Sequence, residues 1–248
     1  MKLNLRFFYS LEQNKQFFLQ LHDLSLGGIS DFNIKSATTL LEILAKNTTS
    51  INVLKFEDFD SDSEPLLFDA FIFIIKLQEQ LRQFSIVSGN EFLSELHSII
   101  SALESQKQSL QDVAMEYCTC TEEFKVLKNC EESILIETLA SFCPNITYLI
   151  IVSIEFSAQL VELIGNLQKL QFLTLWCNVY IQQDELEKLL THFAKTLLPT
   201  LQYLDLMHST LTPYIHSLLN NCHAPLKNLL IDRFENKETI KVLIEFCK

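Results

Sequence analysis

The chain has 248 residues, with 19 Lys and Arg against 31 Asp and Glu, and so a formal charge of −12. That balance argues against a nucleic acid held mainly through its phosphates and against an anionic membrane surface, since both reward basic side chains. A hydrophobic share of 48% and 19 Phe indicate a broad apolar core, yet the longest apolar run, Leu66 to Leu77, carries Asp69 and Lys76 and is too short to span a bilayer.

The opening stretch, MKLNLRFFYSLEQ, has no uninterrupted apolar core ahead of a small-residue cleavage site, so it is not read as a signal peptide. Leu3, Leu5, Phe7 and Phe8 look like the tail of an incomplete repeat covering residues 1–20. From Leu21 onward one pattern recurs. Its fullest form is Leu170, Leu173, Leu175 and Asn178, spelling L-x-x-L-x-L-x-x-N, the signature of a leucine-rich repeat. A short parallel strand would point the second and third anchors into one core, and the asparagine would turn the chain away.

The same three anchors appear at Leu21/Leu24/Leu26, Ile51/Leu54/Phe56, Leu81/Phe84/Ile86, Leu110/Val113/Met115, Ile146/Leu149/Ile151, Leu201/Leu204/Leu206 and Leu226/Leu229/Ile231. The first anchors are separated by 30, 30, 29, 36, 24, 31 and 25 residues, an interval that chance would not keep. The segments between anchors carry apolar residues at helical spacing, as at 37–46, 68–80, 92–108, 134–142, 185–195 and 238–246. Each repeat is therefore expected to be strand, turn, helix.

Pro144, Pro199 and Pro225 stand just ahead of strands, where proline ends a helix and sets an extended approach. The 36-residue step holds an insertion around residues 119–132. Glu57, Asp58, Asp60, Asp62 and Glu64 are expected to form a solvated acidic loop after the second strand. Most repeats lack the turn asparagine, having Ile29, Phe59, Gly89, Cys118, Ile154, Ser209 or Phe234 instead, which predicts irregular turns.

The expected fold is thus α/β, a leucine-rich-repeat solenoid, horseshoe or arc, of about eight repeats, with a parallel sheet on the concave side and helices on the convex side. Residues 1–248 read as a single domain, with repeats over 21–236 and a capping helix over 237–248.

Little in the sequence points to chemistry. Seven cysteines give no framework of pairs and, without a secretory signal, read as free thiols in the cytoplasm or nucleus. Cys118-x-Cys120 with Cys130 and Cys143 lacks zinc-knuckle spacing, so no metal is expected. The six histidines are scattered, and the chain holds no G-x-S-x-G, glycine-rich phosphate loop or H-E-x-x-H. Neither catalysis nor a cofactor is expected.

Cys143-Pro144-Asn145-Ile146-Thr147-Tyr148-Leu149-Ile150-Ile151 resembles the cysteine-containing repeats of F-box proteins, in which C-P-x-L-x-x-L-x-L opens a repeat. Asn221-Cys222-His223-Ala224-Pro225-Leu226 echoes it, and the middle of the chain is similar to the F-box/leucine-rich families expanded in some fungi. The resemblance implies a non-catalytic protein-binding module, the substrate-recognition part of an SCF-type ubiquitin ligase receptor. The twenty residues ahead of Leu21 leave no room for the adaptor-docking F-box itself, so an SCF adaptor is a partner only if an F-box precedes this chain. The alternatives are a free-standing repeat scaffold, inhibitor or decoy, and a leucine-rich GTPase activator, for which Arg233 is the one arginine at a comparable edge.

In such repeats the residues flanking the inward leucines face the concave side. The position before the second anchor reads Asp23, Val53, Gln83, Asp112, Tyr148, Phe172, Tyr203 and Asn228, three aromatics in succession. On strands about 4.8 Å apart these aromatics would form a ladder. Ile150, Val152, Trp176, Met207 and His208 would extend it into one patch with Tyr148, Phe172 and Tyr203, the composition of an interface core. Trp176, the only tryptophan, would be its anchor, and a protein partner its ligand.

Overall fold

The computed structural model describes residues 15–30, 34–60, 65–88, 93–117, 136, 137, 139, 141, 143–232 and 237–246. The chain divides into two compact units, Met1–Cys143 and Pro144–Lys248. In both, each strand begins at the residue before the second anchor of its repeat.

The first unit runs α1 (Lys15–Leu19), β1 (Asp23–Ser30), α2 (Ile34–Asn47), β2 (Val53–Asp60), α3 (Pro65–Leu77), β3 (Gln83–Ser88), α4 (Leu93–Ala102), which tightens into a 3-10 turn at Leu103–Gln106, and β4 (Asp112–Tyr117). The strands are parallel and lie in chain order, with Asp23, Val53, Gln83 and Asp112 in one row. A repeated backbone motif holds this register. The carbonyl of the residue before each strand accepts two successive amides from the next repeat: His22 from Asn52 and Val53, Asn52 from Arg82 and Gln83, and Arg82 from Gln111 and Asp112.

Leu54, Phe84 and Val113, with Phe56, Ile86 and Met115, are buried, as the anchor pattern requires. The helices cover that face. Phe71 of α3 stacks on Phe56 at 3.9 Å between ring centroids, and Phe84 meets Phe56 edge-on. β2 continues to Asp60, so Glu57, Asp58 and Asp60 belong to a strand and not to the acidic loop expected there, while residues 62 and 64 lie outside the described set.

A buried polar column, which the apolar pattern did not reveal, ties the helix ends to the strands. Gln78 is 4% exposed; its Oε1 accepts the amide of Ile51 at 2.9 Å, and its Nε2 donates to the Thr48 and Ile74 carbonyls. One repeat later Gln106 does the same work, accepting from the Leu81 amide and donating to the carbonyls of Ile75 and Gln78. Each glutamine satisfies backbone groups left over where a helix ends, which would be costly to bury unpaired.

The second unit runs β5 (Tyr148–Glu155), α5 (Ala158–Asn166), β6 (Phe172–Asn178), α6 (Gln183–Thr196), β7 (Tyr203–Asp205), a 3-10 turn (Thr212–Tyr214) leading into α7 (Ile215–Asn221), β8 (Asn228–Leu230) and α8 (Lys237–Phe246). Its strands are again parallel and in chain order. Ser157 caps α5 by accepting the Leu160 amide. Phe156 and Phe193 meet edge-on at 5.5 Å in the core. Of the helix expected over 134–142, residues 136, 137, 139 and 141 are described and helical, and the rest, like the insertion at 119–132, lies outside the described residues. The expected capping helix is helical over Lys237–Phe246, with Ile240 and Ile244 exposed. Among the described residues no helix is long and apolar enough to cross a membrane.

Among the described residues three share a left-handed backbone: Gly28 (φ 66°), Ser153 (φ 64°) and His208 (φ 62°). Each stands two positions after the third anchor of its repeat, Leu26, Ile151 and Leu206. The irregular turns expected from the missing asparagines thus include a recurring left-handed bend, which at Ser153 coincides with a register shift between Val152 and Ile154.

Candidate protein-binding face

Alternate residues of a strand point to opposite sides of a sheet, so the residues between the buried anchors of β5–β8 look away from the helices. Tyr148, Phe172, Tyr203 and Asn228 fall in one row across the four strands. The carbonyls of Thr147, Gln171 and Gln202 fix that row, each accepting two amides from the following repeat. The rings of Tyr148 and Phe172 are 5.7 Å apart at 35°, and those of Phe172 and Tyr203 are 6.0 Å apart at 42°. Phe172, at the centre, is 37% exposed, and the two tyrosines are half-buried.

The second row holds Ile150, Thr174, Asp205 and Leu230, all half-buried. In the third, Val152 pairs with Trp176 in register, but Val152 is only 5% exposed and adds no open surface. It lies at the start of the bulge and beside the largest side chain of the sheet. β7 ends at Asp205, so Met207 and His208 occupy the turn beyond the strand. Asp205 shapes that turn by accepting the Met207 amide at 2.9 Å, and Asp232 accepts the His208 amide at 2.8 Å. The His208 ring, exposed to solvent, meets the Trp176 indole at 4.7 Å and 73°. The indole Nε1 is buried and has no hydrogen-bond acceptor among the described residues.

Seven of the eight residues expected in the patch therefore present surface on the second unit, and Val152 does not. Asp205 and Asp232 were missed, although Asp205 alternates with Tyr203 and Met207 and the same period-two reading would have found it. None of the residues in these three rows is Lys or Arg. Burial, and then the charge of Asp205, raise the Tyr203 phenol above its ordinary value. In the first unit the corresponding row is Asp23, Val53, Gln83 and Asp112, without an aromatic ring.

Cys118, Cys120 and Cys130 lie outside the described residues, as does Arg233. Cys143 is fully buried, its thiol pushed up to about 12 by desolvation. Among the described residues no three His, Cys, Asp or Glu side chains are grouped so as to hold a metal.

No known protein family matches the chain by sequence. No curated protein does so either. The fold has clear relatives among solved structures. The leucine-rich repeat-containing protein LegL7 from Legionella pneumophila superposes with a TM-score of 0.51 at 14% identity, over 89% of this chain and 69% of its own. A chain of the Rad7 and Elc1 complex in yeast gives 0.51 at 13% identity, over 91% of this chain and 57% of its own. With its recurring anchors, parallel strands and alternating helices, the chain is a leucine-rich-repeat protein by fold.

Proposed function

We propose that the chain is a non-catalytic protein-binding module that holds its partner on the outer face of β5–β8. The observation that carries this reading is the row Tyr148, Phe172 and Tyr203, three neighbouring rings kept at a solvent-facing sheet surface. Large rigid rings bury much area at small entropic cost and dominate interface energetics. Two local features agree with it. Trp176 keeps a buried donor without an acceptor among the described residues, and His208 beside it holds a left-handed backbone. Unsatisfied groups and non-glycine residues in that region cost about 1–3 kcal/mol and gather where function maintains them.

The partner is a protein, and the most specific form of the reading is a substrate receptor of an F-box/leucine-rich-repeat ubiquitin ligase in the cytoplasm or nucleus. The Cys-Pro repeat at Cys143 supports this, as does the shared fold with a chain found in the Rad7 and Elc1 complex. Replacing Trp176 and Tyr203 together by Ala tests the face. Loss of partners from the otherwise folded protein is expected, since truncating such an anchor often costs about 2 kcal/mol or more, and retention of every partner overturns the assignment. Copurification of an SCF adaptor with the endogenous protein tests the ligase form; its absence favours a free-standing scaffold, inhibitor or decoy.

A further inference from the structure

From the charge and spacing of this face, and resting on its being a docking surface, we infer that the ligand is an extended polypeptide segment carrying Lys or Arg at alternate positions. Three observations lead there. The rows of β5–β8 that face away from the helices contain the carboxylate of Asp205, with Asp232 two residues past the end of β8, and no Lys or Arg. Lys169 and Lys227 lie ahead of the strands, outside these rows, and donate to the neutral amides of Asn145 and Gln202. Residues 144–248, the unit that carries the face, hold ten Asp and Glu against eight Lys and Arg, so its own net charge is slightly negative.

The aromatic row gives a cation somewhere to sit. Ring faces attract ammonium and guanidinium groups, and Tyr148, Phe172 and Tyr203 are tilted against one another, neither stacked flat nor edge-on. Their centroids step by 5.7 and 6.0 Å. In an extended strand, side chains two residues apart on one side are separated by about 6.4–6.8 Å. A segment running across the strands would therefore bring every second side chain over the next ring, with Asp205 one row away as counter-ion. An acidic segment would meet like charge, and a purely apolar one would desolvate the Asp205 carboxylate without supplying a counter-ion.

Nothing in this geometry requires a particular protein, so the probe is a displayed library of random nine-residue peptides. It is selected on the wild-type chain and counter-selected on the triple variant Tyr148→Ala, Phe172→Ala, Tyr203→Ala, whose folding is checked by circular dichroism. The expected result is enrichment of Lys or Arg at alternate positions. Synthetic winners should bind about two- to fivefold more weakly to Phe172→Ala and to Asp205→Asn, a conservative change that keeps the acceptor for the Met207 amide. Binding should also weaken as salt rises. Tyr203→Phe, which retains the ring, should keep most of the affinity. Ladder-dependent peptides without alternating cations would overturn the inference and leave the docking face standing. No ladder-dependent peptide at all would overturn both.

Discussion

Trp176 and His208, from neighbouring repeats, meet at 73° with their rings 4.7 Å apart, and His208 makes this contact from a left-handed backbone at φ 62°. A histidine there gives up backbone ease for an aromatic contact. Asn tolerates the same backbone and lacks the ring, so His208→Asn isolates the contact. We expect a loss of about 0.5–1.5 kcal/mol in urea unfolding, with a shift in the fluorescence of Trp176, the only tryptophan.

Gly28 occupies the equivalent bend, and a Cβ built on it meets nothing within 4 Å. Only the backbone can then object to a side chain. Gly28→Ala is expected to lower stability by about 1 kcal/mol, and Ser153→Gly, at φ 64°, to raise it by up to about 1 kcal/mol. Opposite signs from two exchanges at equivalent places would establish the bend as a common device; equal signs would show that local packing decides.

The strands were legible because burial at the anchors is periodic. Leu54, Phe84 and Val113, or Leu149, Leu173 and Leu204, face one core, and a slip of one residue would turn them to solvent. The aromatic row followed from the same arithmetic, since Tyr148, Phe172 and Tyr203 each precede a second anchor. Val152 escaped it because a bulge begins beside it and neighbours cover it. The bend at His208 escaped too, since most His residues lie at negative φ even though the type is enriched in the left-handed region. Gln78 and Gln106 were invisible for a different reason: a buried glutamine looks in sequence like a solvated one until the backbone groups it serves are in place.

Those glutamines give a third prediction. Gln78→Leu keeps most of the volume but leaves the Ile51 amide without its 2.9 Å acceptor and the Thr48 carbonyl without its donor. A buried amide left unpaired costs about 1–3 kcal/mol. The variant should be destabilised by about 2–4 kcal/mol despite its greater apolarity, as read by chemical denaturation. An unchanged or higher midpoint would mean that water reaches these groups.

Stability should also fall in alkali for a nameable reason. Burial pushes the thiols of Cys143 and Cys177 up to about 12 from 9.0, the Ser209 hydroxyl offsetting part of this at Cys177. In the unfolded chain both ionise near 9, while the folded protein keeps them protonated. The unfolded state therefore binds fewer protons above pH 9, and stability declines from there toward about 12 by up to about 1.4 kcal/mol per pH unit per thiol. Below pH 9 the contribution is constant. Denaturation at pH 8 and 10 should show a steeper loss in the wild type than in the Cys143→Ala, Cys177→Ala double variant; equal slopes would place the titration elsewhere.

Gly165 of α5 tests how closely the helices pack. A Cβ there would overlap Cγ2 of Thr196 in α6, a methyl on a β-branched side chain with little freedom to turn in a helix. Thr196 is further fixed because its hydroxyl donates to the His192 carbonyl at 2.8 Å. Gly165→Ala gains helix propensity worth about 1 kcal/mol, but overpacking of this kind costs about 1–3 kcal/mol, so a net loss is expected. Thr196→Ser removes the methyl and keeps the hydroxyl. Added to Gly165→Ala, it should restore stability to at least the wild-type value, giving a coupling energy of about 1 kcal/mol or more in the double-mutant cycle. Simple additivity would show that α5 and α6 can move apart, and that the glycine is there for another reason.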